Sequence, residues 1–242
     1  MYHSVTFGDK NSWEDWHLIP SSRPVINPPE PKTMQLDIPG MSGVIDLSES
    51  LTGYPLFKNR TGSIEFIVLN KYNEGVDIYQ KWSDVYSDIM DHLHNKSMFL
   101  ILEDDPDWEY YGRLSVNSWK SEEFNSRITI DYNLDPYKEA HDRHTKTFEA
   151  TTTQQSYTFT KNTDHLGLAP CVPIITVSNT ASTNTVDIRF VNNRLFIDTT
   201  VSLKPGQHQI PRIVFYGDSF TMYYRSNSGT ATVKVFYDER RL

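Results

Sequence analysis

Only one stretch of this chain carries a helical hydrophobic period. Ile78, Trp82, Val85, Tyr86, Ile89, Met90 and Leu93 are spaced by steps of one, three and four, which places them in one stripe along a helix over residues 77–95. Asp77 is the expected N-cap and Asn95 the expected left-handed terminator. Asp84, Asp88 and Asp91 fall off the stripe, toward solvent or a partner. The remaining apolar residues lie in short runs bounded by Gly, Pro, Asn and Asp, most of them alternating, which is the pattern of strands and turns. A chain of 242 residues with one helix and many short strands is mainly β.

The second half makes the case most plainly. Residues 145–162 are rich in Thr, Gln and Ser and read as a linker plus an edge strand. Apolar runs follow at 174–177, 186–191, 195–198, 213–216, 221–224 and 232–237, with turn residues between them at Ser178-Asn179, Asn192-Asn193, Pro205-Gly206, Gly217-Asp218 and 227–229. Strands at this spacing without a helix predict an antiparallel sandwich. In the first half, strands are expected at 2–7, 63–69, 97–102, 108–116 and 128–132. The near-continuous runs SIEFIVL and SMFLIL predict partial burial on both faces. Charge divides the chain at the same place. Residues 1–140 hold 12 Lys+Arg against 23 Asp+Glu, a net of −11, and residues 141–242 hold 11 against 8, a net of +3. Two domains are expected, 1–140 and 141–242. An acidic first half argues against nucleic-acid binding, which needs a basic footprint.

Residues 32–60 read KTMQLDIPGMSGVIDLSESLTGYPLFKNR. Met34, Leu36 and Ile38 alternate with Thr33, Gln35 and Asp37, as in a half-buried strand. Pro39-Gly40 suits the centre of a type II turn, Gly43 offers a second backbone exception, and Val44, Ile45 and Leu47 resume an extended run. Five prolines between Ile19 and Pro31 make the preceding segment stiff and extended. No nucleophile, base or metal ligands converge here. The stretch has the character of a hairpin shaped to fit another surface.

Groups capable of chemistry are sparse. Cys171, the only cysteine, lies in PCVPIITV and is expected to be a buried apolar residue. His92 and His94 have no further ligands at metal spacing and are expected at a solvated helix end. Glu103, Asp105 and Glu109 in EDDPDWE are the only dense carboxylates; the calcium-loop pattern is absent, and a turn between strands is expected. Trp13 and Trp16 are expected as packing anchors. Catalytic residues, a metal and a cofactor are therefore not expected. The N-terminus lacks the pattern of a signal peptide, and no apolar run reaches the ~18–20 residues of a membrane span.

The first half resembles the N-terminal domain of the distal tail proteins of siphophages. The resemblance rests on Phe7, Gly8, Asn11, Ser12, Asp15 and Trp16; on Pro29, Pro31, Lys32 and Thr33; and on Asp37-Ile38-Pro39-Gly40 with Gly43. It continues through 45–49 (IDLSE), Arg60, the helix end Leu93-His94-Asn95-Lys96, the acidic turn, Tyr110-Tyr111-Gly112-Arg113 and Pro136-Tyr137-Lys138. Where the family often has Gly after the helix histidine, this chain has Asn95, which shares left-handed tolerance. The resemblance covers about 140 residues.

It implies an α+β ring-forming N-terminal domain and a galectin-like C-terminal β-sandwich, here in a minimal form without long insertions. It also implies a structural, non-enzymatic virion protein: a homohexameric hub at the tip of a long non-contractile tail, assembled in a bacterial cytoplasm. Its implied partners are the major tail tube protein, the tail-associated lysin or fibre protein, and receptor-binding or baseplate proteins. DNA would pass through the lumen without specific binding, and no membrane is involved. The candidate subunit-interface residues are Lys32, Asp37, Pro39, Gly40, Gly43, Asp46 and Arg60. The alternative is a carbohydrate-binding module aiding adsorption, with Tyr223 and Tyr224 as candidate sugar contacts.

Overall fold

The computed structural model describes residues 2–69, 82–120, 126–167, 169–178, 181 and 184–242. The expected N-cap Asp77, Ile78 of the helical stripe and Asn179 of the first sandwich turn lie outside the described residues. From the N-terminus come β1 (Val5–Phe7), β2 (Lys10–Asn11), β3 (Leu18–Pro20), β4 (Gln35–Asp37), β5 (Val44–Asp46), β6 (Arg60–Val68) and helix α1 (Trp82–Leu93). Strands β7 (Lys96–Leu102), β8 (Trp108–Lys120), β9 (Arg127–Leu134) and β10 (Lys138–Ala140) follow. The remainder holds β11 (His144–Ala150), β12 (Gln155–Thr160), the one-turn helix α2 (Lys161–Asp164), β13 (Ile174–Ser178) and β14 (Val186–Asn192). The chain closes with β15 (Ile197–Leu203), β16 (Gly206–Gln209), β17 (Ser219–Ser226), β18 (Ala231–Tyr237) and β19 (Arg240–Arg241). Two compact units result: Met1–Lys32 with Phe57–Lys138, and Thr33–Leu56 with Glu139–Leu242.

In the first unit an antiparallel sheet runs β2-β1-β7-β8-β9-β6-β3. Val85, Ile89 and Leu93 of α1 are buried in the same core as Phe7, Trp16, Phe66, Leu100, Leu114 and Ile128. The expected two-sided burial of the apolar runs gives way to alternation. Ile64, Phe66 and Val68 are buried in β6 while Ile67 is half-buried. Leu100 and Leu102 are buried in β7, whereas Phe99 is exposed and lies 5.0 Å from Tyr111, its cross-strand partner. One helix covers only one face of a sheet, which suits burial that alternates along each strand.

Helix α1 ends as its chemistry requires: Asn95 has φ 57°. Its end is solvated as expected at His94, which is exposed, but His92 is half-buried and both rings are engaged. His92 Nε2 meets the Phe7 carbonyl at 2.8 Å, its ring lies 5.5 Å from that of Trp16, and His94 Nδ1 accepts from Val116 N–H at 3.1 Å. Nor does Asp88 simply face solvent, because its carboxylate accepts from Lys10 Nζ and Trp16 Nε1, both at 2.6 Å. These bonds, Lys10 first, hold its pKa below the ordinary carboxylate value. Helix and N-terminal strands are thus tied by one half-exposed anion.

The second unit contains two four-stranded antiparallel sheets, β11-β18-β13-β16 and β12-β17-β14-β15. Their shared core holds Phe159, Ile175, Ile188, Phe190, Phe215, Phe220, Met222 and Val233. β14 and β18 alternate strictly between buried and less buried positions, as expected for a sandwich. Three details depart from expectation. Residues 145–162 form two strands, since β11 pairs with β18 along its whole length and β12 pairs with β17. The strand expected at 195–198 is shifted to β15, because Asn192 Oδ1 accepts from Arg194 N–H and Leu195 N–H and Phe196 takes φ 54°. The run 213–216 is not a strand: Ile213 and Phe215 fill the core, and Phe215 makes only a bridge to buried Cys171. Burial raises the Cys171 thiol pKa, which disfavours the reactive thiolate.

Asp88→Asn tests the tie between helix and strands. The folded-state pKa of Asp88 is depressed, so its stabilisation is present above the unfolded carboxylate value and is lost as pH falls through the folded value. Urea melts should show the variant about 1 kcal/mol less stable at neutral pH, the side chain being half-exposed. The difference should vanish at the acid end. An equal loss at both pH values would contradict the ion-pair account.

Candidate interaction surface

The chain leaves the first unit at a closed neck. Pro31 bridges Phe57, Lys58 N–H donates to the Glu30 carbonyl at 2.8 Å, and Lys58 Nζ meets Glu30 Oε2 at 2.9 Å. Beyond the neck Arg60 opens β6 and is 4% exposed. Its Nε donates to the Pro136 carbonyl at 2.8 Å and its Nη1 to the Asn27 carbonyl at 3.0 Å, with the guanidinium 5.6 Å from the Tyr110 ring centre. Burial pulls its pKa below the ordinary arginine value. Arg60 therefore works inside the first unit, apart from the hairpin residues with which the sequence grouped it.

The segment Thr33–Leu56 belongs to the second unit. β4 and β5 pair with Leu36 opposite Ile45 and Asp37 opposite Val44. Met41 N–H donates to the Ile38 carbonyl at 3.0 Å across Pro39-Gly40, and Gly40 has φ 88°. This is the expected type II turn. Gly43 follows with φ 82°. Ser48 braces the base: its Oγ accepts from Met34 N–H at 2.8 Å, and its own N–H donates to Asp46 Oδ1 at 2.9 Å. Hydrogen bonding from Ser48, side chain first and then backbone, keeps the Asp46 pKa below its ordinary value. At the far end the Tyr54 ring lies 5.1 Å from that of Tyr216, and Gly53 approaches Leu195.

The alternation of Met34, Leu36 and Ile38 predicts a buried face, but these residues are 62%, 47% and 37% exposed. Met41, Val44 and Leu51 are exposed as well, so six of the thirteen exposed large apolar residues among those described fall in this one segment. Scattered apolar side chains on a surface mean little, whereas such a concentration makes this segment the candidate interaction surface. Asp37, Pro39, Gly40, Gly43 and Asp46 share the hairpin and are exposed, and Lys32 is exposed just before it. The contributions of Met41, Leu51 and Tyr54 were missed in the sequence. The crowding of eight apolar residues into the 18 positions 34–51, with turn residues among them, was a signal for the first two.

The other chemical candidates are engaged locally. Glu103 Oε2 accepts from Ser4 N–H and Ser4 Oγ, Asp104 pairs with His3 and Arg23, and Asp105 pairs with Lys138. Tyr224 is a core residue, and burial raises its pKa. Tyr223 is half-buried beneath the Arg189 guanidinium at 5.7 Å. It lines a shallow pocket of about 160 Å³ with Gln154, Asp187, Arg189, Thr200, Tyr224 and Arg225.

Two substitutions separate hairpin from framework. A Cβ at Gly40 would meet no atom within 4 Å, so Gly40→Val acts through backbone strain alone, about 1–2 kcal/mol. Hydrogen exchange should quicken at the β4–β5 amides while the global denaturation midpoint stays unchanged. Arg60→Ala, which strips two carbonyls of their donor, should cost roughly 2–4 kcal/mol of first-unit stability. A global collapse of Gly40→Val would show that the turn serves the core instead.

No family model matches the sequence, and no curated protein matches it. Among solved structures, a match spans 100% of this chain and 100% of the crystallised SPP1 Dit (gp 19.1) protein, described as a paradigm of the hub adsorption apparatus in phages infecting Gram-positive bacteria. The TM-score is 0.61 at 14% sequence identity. From end to end, this chain has the fold of that distal tail protein.

Proposed function

We infer that the chain is a structural virion protein, the distal tail hub of a phage with a long non-contractile tail. The observation that carries this reading is the full-length likeness to a hub protein in a chain whose apolar surface is concentrated on one hairpin. Six copies close into a ring at the tail tip, between the tail tube and the tail-associated lysin or fibre protein. The sandwich units offer places for baseplate or receptor-binding proteins. Ring closure needs a head-to-tail interface, in which one surface fits a different surface of the next copy. The β4–β5 hairpin suits the donor side. Its backbone is set by Pro39, Gly40 and Gly43, so little entropy is lost on docking, and burial of Met34, Leu36, Ile38, Met41 and Val44 supplies the driving force. The net charge of −11 over residues 1–140 suits a lumen through which DNA passes without sticking.

A second reading follows from the Tyr223 pocket, which joins an aromatic ring to hydrogen-bonding side chains as a sugar site does. Its volume of about 160 Å³ is well below the ~300 Å³ at which small-molecule pockets usually begin, so at most one sugar ring would be held. This favours the hub as the main role. Binding on a glycan array that Tyr223→Ala abolishes would establish the second.

Light scattering after size exclusion tests the hub. The wild-type chain should form a hexamer, alone or with its tail tube partner. Leu36→Asp with Val44→Asp should leave folded monomers, with unchanged circular dichroism and at least a tenfold loss of self-association. Hexamers that persist in the double variant would remove the hairpin from the interface.

A further inference from the structure

The second unit contains a polar knot around Asp164, which is 1% exposed. Its carboxylate accepts from Lys146 Nζ at 2.8 Å, Tyr157 Oη at 2.8 Å, Thr160 N–H at 2.9 Å and Thr163 Oγ1 at 3.0 Å. Its carbonyl accepts from Tyr237 Oη at 2.8 Å. These bonds fix the residue on which α2 ends. The next residue, His165, takes left-handed backbone with φ 49° and ψ 42°, a conformation usually given to Gly or Asn at a helix end. Its ring stacks on His144, with centres 4.9 Å apart and planes 5° from parallel.

His144 begins β11 opposite Tyr237. Glu239 lies two residues beyond Tyr237 and directs Oε2 to 3.8 Å from His144 Nε2. Its Oε1 is taken by Arg241, through Nε at 3.1 Å and Nη2 at 2.7 Å. His144 Nε2 is buried and has no hydrogen-bond partner, and 3.8 Å is too long for one. Buried polar nitrogens are rarely left unpaired without a reason. Two imidazoles and a free carboxylate oxygen, from three separate chain segments, thus converge beside one unsatisfied ligand atom.

We propose that His144, His165 and Glu239 bind a divalent first-row transition ion such as Zn²⁺. One ligand atom from each residue lies within 4.8 Å of the others, whereas ligand atoms around a tetrahedral zinc lie about 3.3 Å apart and an imidazole lone pair lies in its ring plane, so closing the site turns one ring out of the stack and moves ligand atoms by about an ångström or more. The imidazole and carboxylate set selects zinc, cobalt or nickel over calcium or magnesium. His165 is exposed, so a further coordination position stays open to water. The ion clips the end of α2 to the start of β11 and to the segment after β18. It also gives a use to a histidine held where glycine would fit with less strain.

The test uses the full chain stripped with chelator, then thermal unfolding and calorimetric titration with zinc chloride. One zinc per chain should bind and raise the unfolding temperature, and zinc at a hundred times its dissociation constant shifts the folded-to-unfolded ratio about 100-fold. His165→Gly should raise the unfolding temperature of the metal-free protein by relieving strain, yet abolish the zinc-induced rise. His144→Ala should abolish that rise as well, and Glu239→Gln should weaken zinc binding at least tenfold. If His144→Ala fails to fold, the exposed His165→Gly still decides the matter. No zinc-dependent rise in the wild type, or an equal rise in His165→Gly, overturns the proposal.

Discussion

A buried guanidinium governs how the first unit is tied together. Among the described residues, Arg60 is held by the carbonyls of Asn27 and Pro136 and lies over Tyr110. Those contacts join the proline-rich segment, the start of β6 and the turn after β9. They fix the point at which the chain comes back from its excursion through residues 33–56. A charge taken out of water is costly unless its donors are used; Nε and Nη1 are bonded, while Nη2 is buried without a partner among the described residues, so it is these two bonds that constrain the three segments together. The neck at Pro31 and Phe57 lies within the same unit. The segment it brackets belongs to the second unit.

That hairpin inverts the usual relation between pattern and burial. Its strands alternate like a half-buried pair, yet Met34, Leu36 and Ile38 are exposed. A two-stranded hairpin is marginal in water. This one is set by a proline-glycine turn and the bonds of Ser48, while Tyr54 anchors its far end against Tyr216. On the proposed hub reading, a neighbouring copy supplies the missing cover. The sandwich stands differently, because its two sheets bury their apolar faces in a core of their own. The polar knot at Asp164 closes one side of it, and burial with the nearby Asp164 charge pushes the Tyr237 phenol up to about 12.

Backbone chemistry was the most legible part of the sequence. Pro39-Gly40 and Asn95 did what their local preferences require, and the alternating runs of β14, β17 and β18 read correctly. Legibility failed where apolar content and strand identity separate. β11 buries only Phe148 and Ala150, too thin a signal among threonines. Residues 213–216 are apolar because they plug the core, while Phe196 is apolar and 95% exposed in a turn. The hairpin was visible as a hairpin, but its exposure was not, since alternation reports a face to be covered without saying by what. The grouping of Arg60 with the hairpin failed for a related reason, because a lone arginine in sequence does not reveal that carbonyls will bury it. His144, His165 and Glu239 are far apart in sequence and meet only through sheet register.

The central claim is that the β4–β5 hairpin is a subunit contact. Electron cryomicroscopy of the assembled ring tests it most directly, by measuring the exposure of Met34, Leu36 and Val44 in the assembly. The account predicts six copies with these side chains buried against a different surface of the neighbouring copy. A closed ring in which they remain in solvent would contradict it.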